Sequence, residues 1–287
     1  MEFQLTIECH NDLGEGPLWD PREGALYWLD INKSKIQRRD ARTEEVRVFD
    51  MPFRVTALGL RQSGGFITAT ERGFHFWDGK STKLKFITHP EESKAGARFN
   101  DGKVDRGGRF WAGTMDPRNV TSALYRLDAD RNAARMEKGI TISNGLGWSP
   151  DNRRMYYADT LHHVVYVYNF GLRGGSISGR RVFLQVPSEE GLPDGLTVDS
   201  QGYVWIAFYD GWRVTRYAPN GKVDRQIDLP VARPTCPAFG GTRLDELYIT
   251  SAIDGLSNKE LAKQLQAGDL FMLKPGVKGL PEPEFLG

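Results

Sequence analysis

A six-bladed β-propeller, an all-β fold built from four-stranded antiparallel blades, is predicted by two features of this 287-residue chain. A short aromatic-rich strand recurs at nearly constant spacing, and a hairpin-turn sequence precedes most copies of it. The copies are Leu26-Tyr27-Trp28-Leu29-Asp30, Phe66-Ile67-Thr68-Ala69-Thr70, Phe110-Trp111-Ala112-Gly113-Thr114, Met155-Tyr156-Tyr157-Ala158-Asp159, Val204-Trp205-Ile206-Ala207-Phe208 and Leu247-Tyr248-Ile249-Thr250-Ser251. A period of about 40 to 50 residues with several strands per unit marks a propeller blade, because one small sheet cannot bury both faces and must stack on like neighbours.

Within each unit the order of elements repeats. Gly145-Leu146-Gly147-Trp148 runs into Ser149-Pro150-Asp151-Asn152 and then into the aromatic strand; Gly16 to Gly24, Gly102 to Gly108 and Gly195 to Gly202 follow the same plan. Asp, Pro, Asn and Gly between two apolar runs supply the preset or positive backbone angles that a hairpin needs. A third strand follows in most units, as in His163-Val164-Val165-Tyr166-Val167-Tyr168, and a less legible outer strand completes the blade. An aromatic content of 11% suits bulky packing between blades. The N-terminal strand, residues 3–8, is expected to complete the last blade and close the ring, removing exposed sheet edges. Residues 257–266 break the pattern: capping residues precede Leu261 and Leu265 at helical spacing, so a short helix inserted in the last blade is expected. Repeats running almost end to end leave no room for a linker, and one domain spanning 1–287 is expected.

Composition narrows the function classes. With 38 basic and 37 acidic residues the formal net charge is +1, which gives no field to hold polyanions or an anionic membrane surface. Nucleic acid and membrane are therefore not expected as partners. The N-terminus alternates like a strand and lacks a basic segment followed by an apolar run, so a cytoplasmic location and a monomer or weak oligomer are expected. Cys9 and Cys236 lack the spacing of a zinc or redox site and read as unpaired thiols. The five histidines show no His-Glu-x-x-His pattern, Gly174 to Gly179 does not fit a serine-nucleophile turn, and no Gly-x-Gly-x-x-Gly joins a strand to a helix.

The repeat itself points to a site. The innermost strand of each blade lines the central channel, so residues at equivalent repeat positions converge although they are far apart in sequence. Counting back from the aromatic anchors, Glu15, Asn100, Asn144 and Asp194 occupy one position at one mouth, while the same offsets in the other two blades fall on Val55-Thr56 and Cys236-Pro237. Glycine follows Glu15, Asn144 and Asp194 directly, which permits unusual backbone angles and close approach. Two carboxylates and two amides at the end of a narrow channel repel and stay poorly satisfied unless a cation bridges them or buried waters solvate them. An all-oxygen set favours a hard ion such as Ca²⁺ or Mg²⁺.

With those residues in view, the chain resembles the gluconolactonase family that includes the senescence marker proteins. The resemblance runs through Gly14-Glu15-Gly16-Pro17-Leu18-Trp19, Leu60-Arg61-Gln62-Ser63-Gly64-Gly65, Arg98-Phe99-Asn100-Asp101-Gly102-Lys103-Val104-Asp105, Ala112-Gly113-Thr114-Met115, Ile142-Ser143-Asn144-Gly145-Leu146, Pro193-Asp194-Gly195 and Phe239-Gly240-Gly241. It implies a divalent metal held by Glu15, Asn144 and Asp194, with Ca²⁺ favoured over Zn²⁺, Mn²⁺, Mg²⁺ or Fe²⁺, and a substrate held by Arg98 and Asn100. It also implies hydrolysis of a sugar-acid lactone to the open aldonate, with Asp194 as general base. After Met115, where relatives place acidic residues, this chain has Asp116-Pro117-Arg118. Asp116 is the candidate for the substrate-facing acidic role, with Arg118 as a residue that would invert the local charge. Rival readings are a calcium-binding regulatory or ligand-binding propeller without turnover, and a hydrolase of other lactones or phosphotriesters.

Overall fold

The computed structural model describes residues 3–94, 96–116 and 120–287, and its strands form six sheets, each with a core of antiparallel strands. The recurrent aromatic segments are the second strands, Ala25–Asp30, Phe66–Thr70, Phe110–Met115, Arg154–Asp159, Val204–Tyr209 and Glu246–Ser251. The first strands, Gly14–Asp20, Val55–Arg61, Arg98–Val104, Ser143–Trp148, Leu192–Val198 and Pro234–Gly240, touch one another in a closed circle, so they are the inner wall of a propeller.

Aromatic residues wedge adjacent blades together. Tyr27 of blade one packs on Phe66 of blade two at 4.7 Å between ring centroids, Trp111 of blade three on Trp148 of blade four at 6.1 Å, and Trp205 of blade five on Phe239 of blade six at 6.0 Å. Beneath two of these rings a buried carboxylate gathers the turn. Asp199 accepts hydrogen bonds from the Gln201 and Tyr203 backbone amides, Trp205 Nε1 at 3.0 Å and Arg216 Nε at 2.8 Å. Asp105 repeats the arrangement with Gly107, Arg109 and Trp111. The buried turn aspartates Asp105 and Asp199 are thus structural charges with their hydrogen-bonding capacity used.

The ring closes as expected from sequence. Leu5–Ile7 pairs antiparallel with Leu270–Leu273 as the outermost strand of blade six, joining the two ends of the chain in one sheet. The inserted helix is shorter than expected, a single turn at Asn258–Leu261. Its start is well specified, since Ser257 and Glu260 form a reciprocal capping box. It stops because the following backbone tightens into turns that bring buried Gln264 within 2.6 Å of the Ala232 amide, leaving Leu265 81% exposed.

Blade two carries a fifth strand that the repeat did not announce. Glu284–Phe285 lies parallel to the inner strand, pairing with Leu60 and Arg61 at the end away from the mouth. Phe285 is fully buried, Arg61 Nε donates to the Gly287 carbonyl at 2.7 Å, and Lys103 meets Glu282 at 3.2 Å. The tail thereby fills the far end of the channel. Among the described residues no helix is long and apolar enough to cross a membrane.

Replacing Asp199 by Ala leaves Trp205 Nε1 buried without its acceptor and takes from Arg216 its buried carboxylate partner, leaving it Asp224 and Gln201; removing one partner from such a buried network typically costs about 1–3 kcal/mol. Denaturant unfolding of Asp199→Ala is expected to show that loss; a midpoint equal to the parent's would mean that the network contributes nothing.

Candidate active site

Each inner strand slips register near the mouth. The slips fall between Glu15 and Leu18, Val55 and Ala57, Phe99 and Gly102, Ser143 and Leu146, Pro193 and Leu196, and Pro234 and Pro237. A bulge of this kind leaves residues unpaired and re-aims their side chains. Asn100, Asn144 and Asp194 each lie inside such a slip, and Glu15 is the last paired residue before one. Glycine serves the two purposes expected of it at different places. Gly16 has φ +54°, whereas a Cβ on Gly145 would stand 2.6 Å from the Asp194 carbonyl oxygen and one on Gly195 would stand 2.5 Å from Cys236 Sγ.

The result is a pocket of about 240 Å³ at the mouth, lined by Glu15, Arg98, Asn100, Asn144 and Asp194 on its polar side, with Leu13, Met115, Ile142, Leu161 and Leu192 among its apolar walls. Five of the six expected site residues therefore meet in one place. The sixth, Asp116, is buried just past the Met115 wall with its amide donating to Ser122 Oγ at 2.8 Å, and Met115 rather than Asp116 lines the pocket. Arg118 lies outside the described residues.

The polar groups are held unequally. Arg98 Nη1 donates to Asn100 Oδ1 at 3.0 Å and to its neighbour's carbonyl at 2.9 Å, while Asn100 Nδ2 donates to the Ser143 carbonyl at 2.8 Å. Asn100 thus braces Arg98 against blade four. Asn144 Nδ2 donates to Thr160 Oγ1 at 3.1 Å, and Thr160 Oγ1 in turn donates to the Pro193 carbonyl at 2.9 Å. That arrangement fixes the amide and leaves Asn144 Oδ1 buried with no hydrogen-bond partner among the described residues. Thr160 was missed by counting repeats because it belongs to the turn after the second strand. Asp101 was missed as well: it is the second residue inside the blade-three slip and so faces the channel beside Asn100.

Burial pushes the Asp194 carboxyl well above the usual range, and Asp101 pushes it further. Glu15 is raised by burial, then by Asp194 and Asp101, with the Gly16 amide and Arg98 opposing. Burial, with Arg54 nearby, pulls the Arg98 guanidinium down to about 10. Cys236, fully enclosed beside these carboxylates, has its thiol pushed far up by burial, which makes it a poor nucleophile.

These residues fit a divalent cation. Two buried carboxylates that repel each other and an orphaned amide oxygen present three hard donors to one cavity, an arrangement a cation relieves and an empty apolar pocket does not. Among the described residues no group of three or more His, Cys, Asp or Glu is placed to hold a metal ion.

Fold and mouth together define a six-bladed propeller with an oxygen-lined pocket where its inner strands begin. The chain belongs to the SMP-30/gluconolactonase/LRE-like family, whose region matches residues 13–253. It is 40% identical over 290 residues to a 6-deoxy-6-sulfogluconolactonase of Pseudomonas putida, covering 98% of this chain and 99% of that protein. It is 36% identical over 293 residues to regucalcin of Danio rerio, covering 100% and 99%. The solved structure of a calcium-binding protein, regucalcin, from Agrobacterium tumefaciens matches with a TM-score of 0.93 and 27% identity over 99% of this chain and 97% of that one.

Thr160→Val removes the group that orients Asn144 while keeping the side chain's shape. Outer-shell partners of ligands typically contribute about 10- to 100-fold in metal affinity, and calorimetric titration with Ca²⁺ is expected to show a loss of that order. Parent-like affinity would detach Thr160 from the metal site.

Proposed function

We propose that the protein is a metal-dependent sugar lactonase that opens an aldonolactone, gluconolactone-like in form, to the aldonic acid. One observation carries this reading: two repelling carboxylates, an orphaned amide oxygen and a braced arginine converge on a single pocket at the mouth, in a member of the gluconolactonase family. Glu15, Asn144 and Asp194 would hold the cation. When bound, a divalent cation supplies Lewis-acid polarisation of the lactone carbonyl.

The remaining work belongs to the chain's own groups. Arg98, held by Asn100, presents its guanidinium to substrate oxygens and sets the ring's orientation. The apolar walls exclude bulk water from one side of the pocket. Asp194 takes a proton as a water oxygen bonds to the carbonyl carbon; the ring carbon–oxygen bond then breaks, and its oxygen leaves with a proton as the hydroxyl of the open acid. Asp116, behind Met115, would shape that wall from beneath. A calcium-binding role without turnover is the second reading, drawn from the calcium-binding regucalcin relative. A cation site alone has no use for a half-buried arginine braced toward the same cavity, and this favours the enzyme. Proton release on mixing with a panel of aldonolactones, across Ca²⁺, Mg²⁺, Mn²⁺ and Zn²⁺, separates the two.

Asp194→Asn preserves an oxygen donor but removes the base, and turnover is expected to fall about 10²- to 10⁴-fold at saturating metal. Undiminished turnover would take Asp194 out of the chemistry. Arg98→Ala is expected to raise KM about ten- to a hundredfold with a smaller change in kcat, because a charged hydrogen bond to substrate typically contributes about 1.5–3 kcal/mol. A lowered melting temperature with unchanged lactone kinetics would instead make Arg98 a structural residue.

A further inference from the structure

Blade two gives the mouth no carboxylate or amide, yet it supplies positive charge. Arg54 immediately precedes its inner strand, and Glu71 and Arg72 form the turn after its second strand. Together with Gly96, Ala97, Arg98 and Met115 they line a recess of about 420 Å³ that shares Arg98 and Met115 with the pocket above. Three arginines and one glutamate thus contribute to its lining. Among the described residues neither Arg54 nor Arg72 forms an ion pair or a side-chain hydrogen bond, whereas arginines such as Arg109, Arg126, Arg216 and Arg233 are held in ion pairs.

The recess is built rather than accidental in shape. Thr70, fully buried, donates through Oγ1 to the Gly73 carbonyl at 2.8 Å and accepts from the Arg72 amide at 2.9 Å, while the Glu71 amide donates to the Arg54 carbonyl at 3.1 Å. Arg72 stacks over the Phe53 ring at 4.7 Å. Both arginines are therefore anchored through their backbones with their charged forks left over, the arrangement that suits planar recognition of an oxyanion.

We propose that this recess is an anion subsite that receives a tetrahedral oxyanion, a sulfonate or a phosphate, carried on the end of the lactone remote from its carbonyl. The assignment to a lactone rests on the function proposed above. A molecule whose carbonyl lies by Glu15, Asn144 and Asp194 extends past Arg98 into the space between Arg54 and Arg72, and Glu71 disfavours a substituent that is itself cationic.

The test compares kcat/KM for 6-phosphogluconolactone, 6-deoxy-6-sulfogluconolactone and neutral gluconolactone in the parent and in the Arg54→Gln/Arg72→Gln double variant. The parent is expected to prefer a charged lactone at least about tenfold, and the variant to lose about ten- to a hundredfold on it while staying within about twofold on the neutral one. The arm with the larger loss distinguishes sulfonate from phosphate. Should the double variant fail to fold, Arg72→Gln alone at its exposed turn carries the same comparison. Equal rates on charged and neutral lactones in the parent, or an undiminished preference in the variant, overturn the subsite. Calorimetric titration with inorganic phosphate, which needs no turnover, is expected to show binding that the variant weakens. If the parent opens no lactone but binds phosphate through these arginines, the lactonase reading falls and the anion site stands.

Discussion

The inner strands of this propeller approach one another more closely than any side chain would permit. At Gly145 the neighbouring Asp194 carbonyl occupies the space of a Cβ, and at Gly195 Cys236 does the same. Everything at the mouth follows from that contact. It brings the slip in blade four beside the slip in blade five, so that Asn144 and Asp194 line one cavity. An alanine at either glycine would force the inner strands apart and spread the donors before it touched the rest of the fold.

Two populations of buried carboxylate show what the chain does with charge. Asp105 and Asp199, in the hairpin turns, are surrounded by amides, an indole and a guanidinium, and nothing about them is left unsatisfied. Glu15 and Asp194 are also buried but receive less: Glu15 accepts from the Gly16 amide, and the Asp194 carboxyl is held well above the usual range by burial and by Asp101, with Asn144 and the Gly195 amide opposing. A protein that satisfies its structural aspartates so fully and leaves two others in mutual repulsion is holding those two in readiness for a ligand.

How much of this could be read from the residues alone depended on whether the signal was local. The second strands carried it most clearly: Leu247-Tyr248-Ile249-Thr250-Ser251 and its five counterparts fall within the observed strands, because aromatic and β-branched residues in a fully buried strand leave little choice. Their regular spacing then pointed to Glu15, Asn100, Asn144 and Asp194, while Arg98 came only from the family resemblance. What spacing could not reveal was the second channel-facing residue of a bulge, which is why Asp101 was passed over, or pairing across the length of the chain, which is why Glu284–Phe285, set behind Pro281 and Pro283, gave no strand pattern. The helix was overextended because Leu261 and Leu265 are at helical spacing, whereas the demand of the Ala232 amide for Gln264 bends the backbone first. The basic recess was invisible for a different reason: Arg54 and Arg72 look like ordinary surface charge until two turns are brought together.

The six register slips also make the mouth a set of sockets on an unchanging frame. Two of them hold threonine: Thr235, whose hydroxyl donates to the Gly14 carbonyl and pairs with Thr250, and Thr56, buried with its hydroxyl unpartnered among the described residues. Since the residue in a socket is unpaired in the ladder, exchanging it leaves the sheet's backbone hydrogen bonds intact. The blade-two socket at Thr56 is therefore a designable address, where one side chain can be exchanged for another without rebuilding the propeller that carries it.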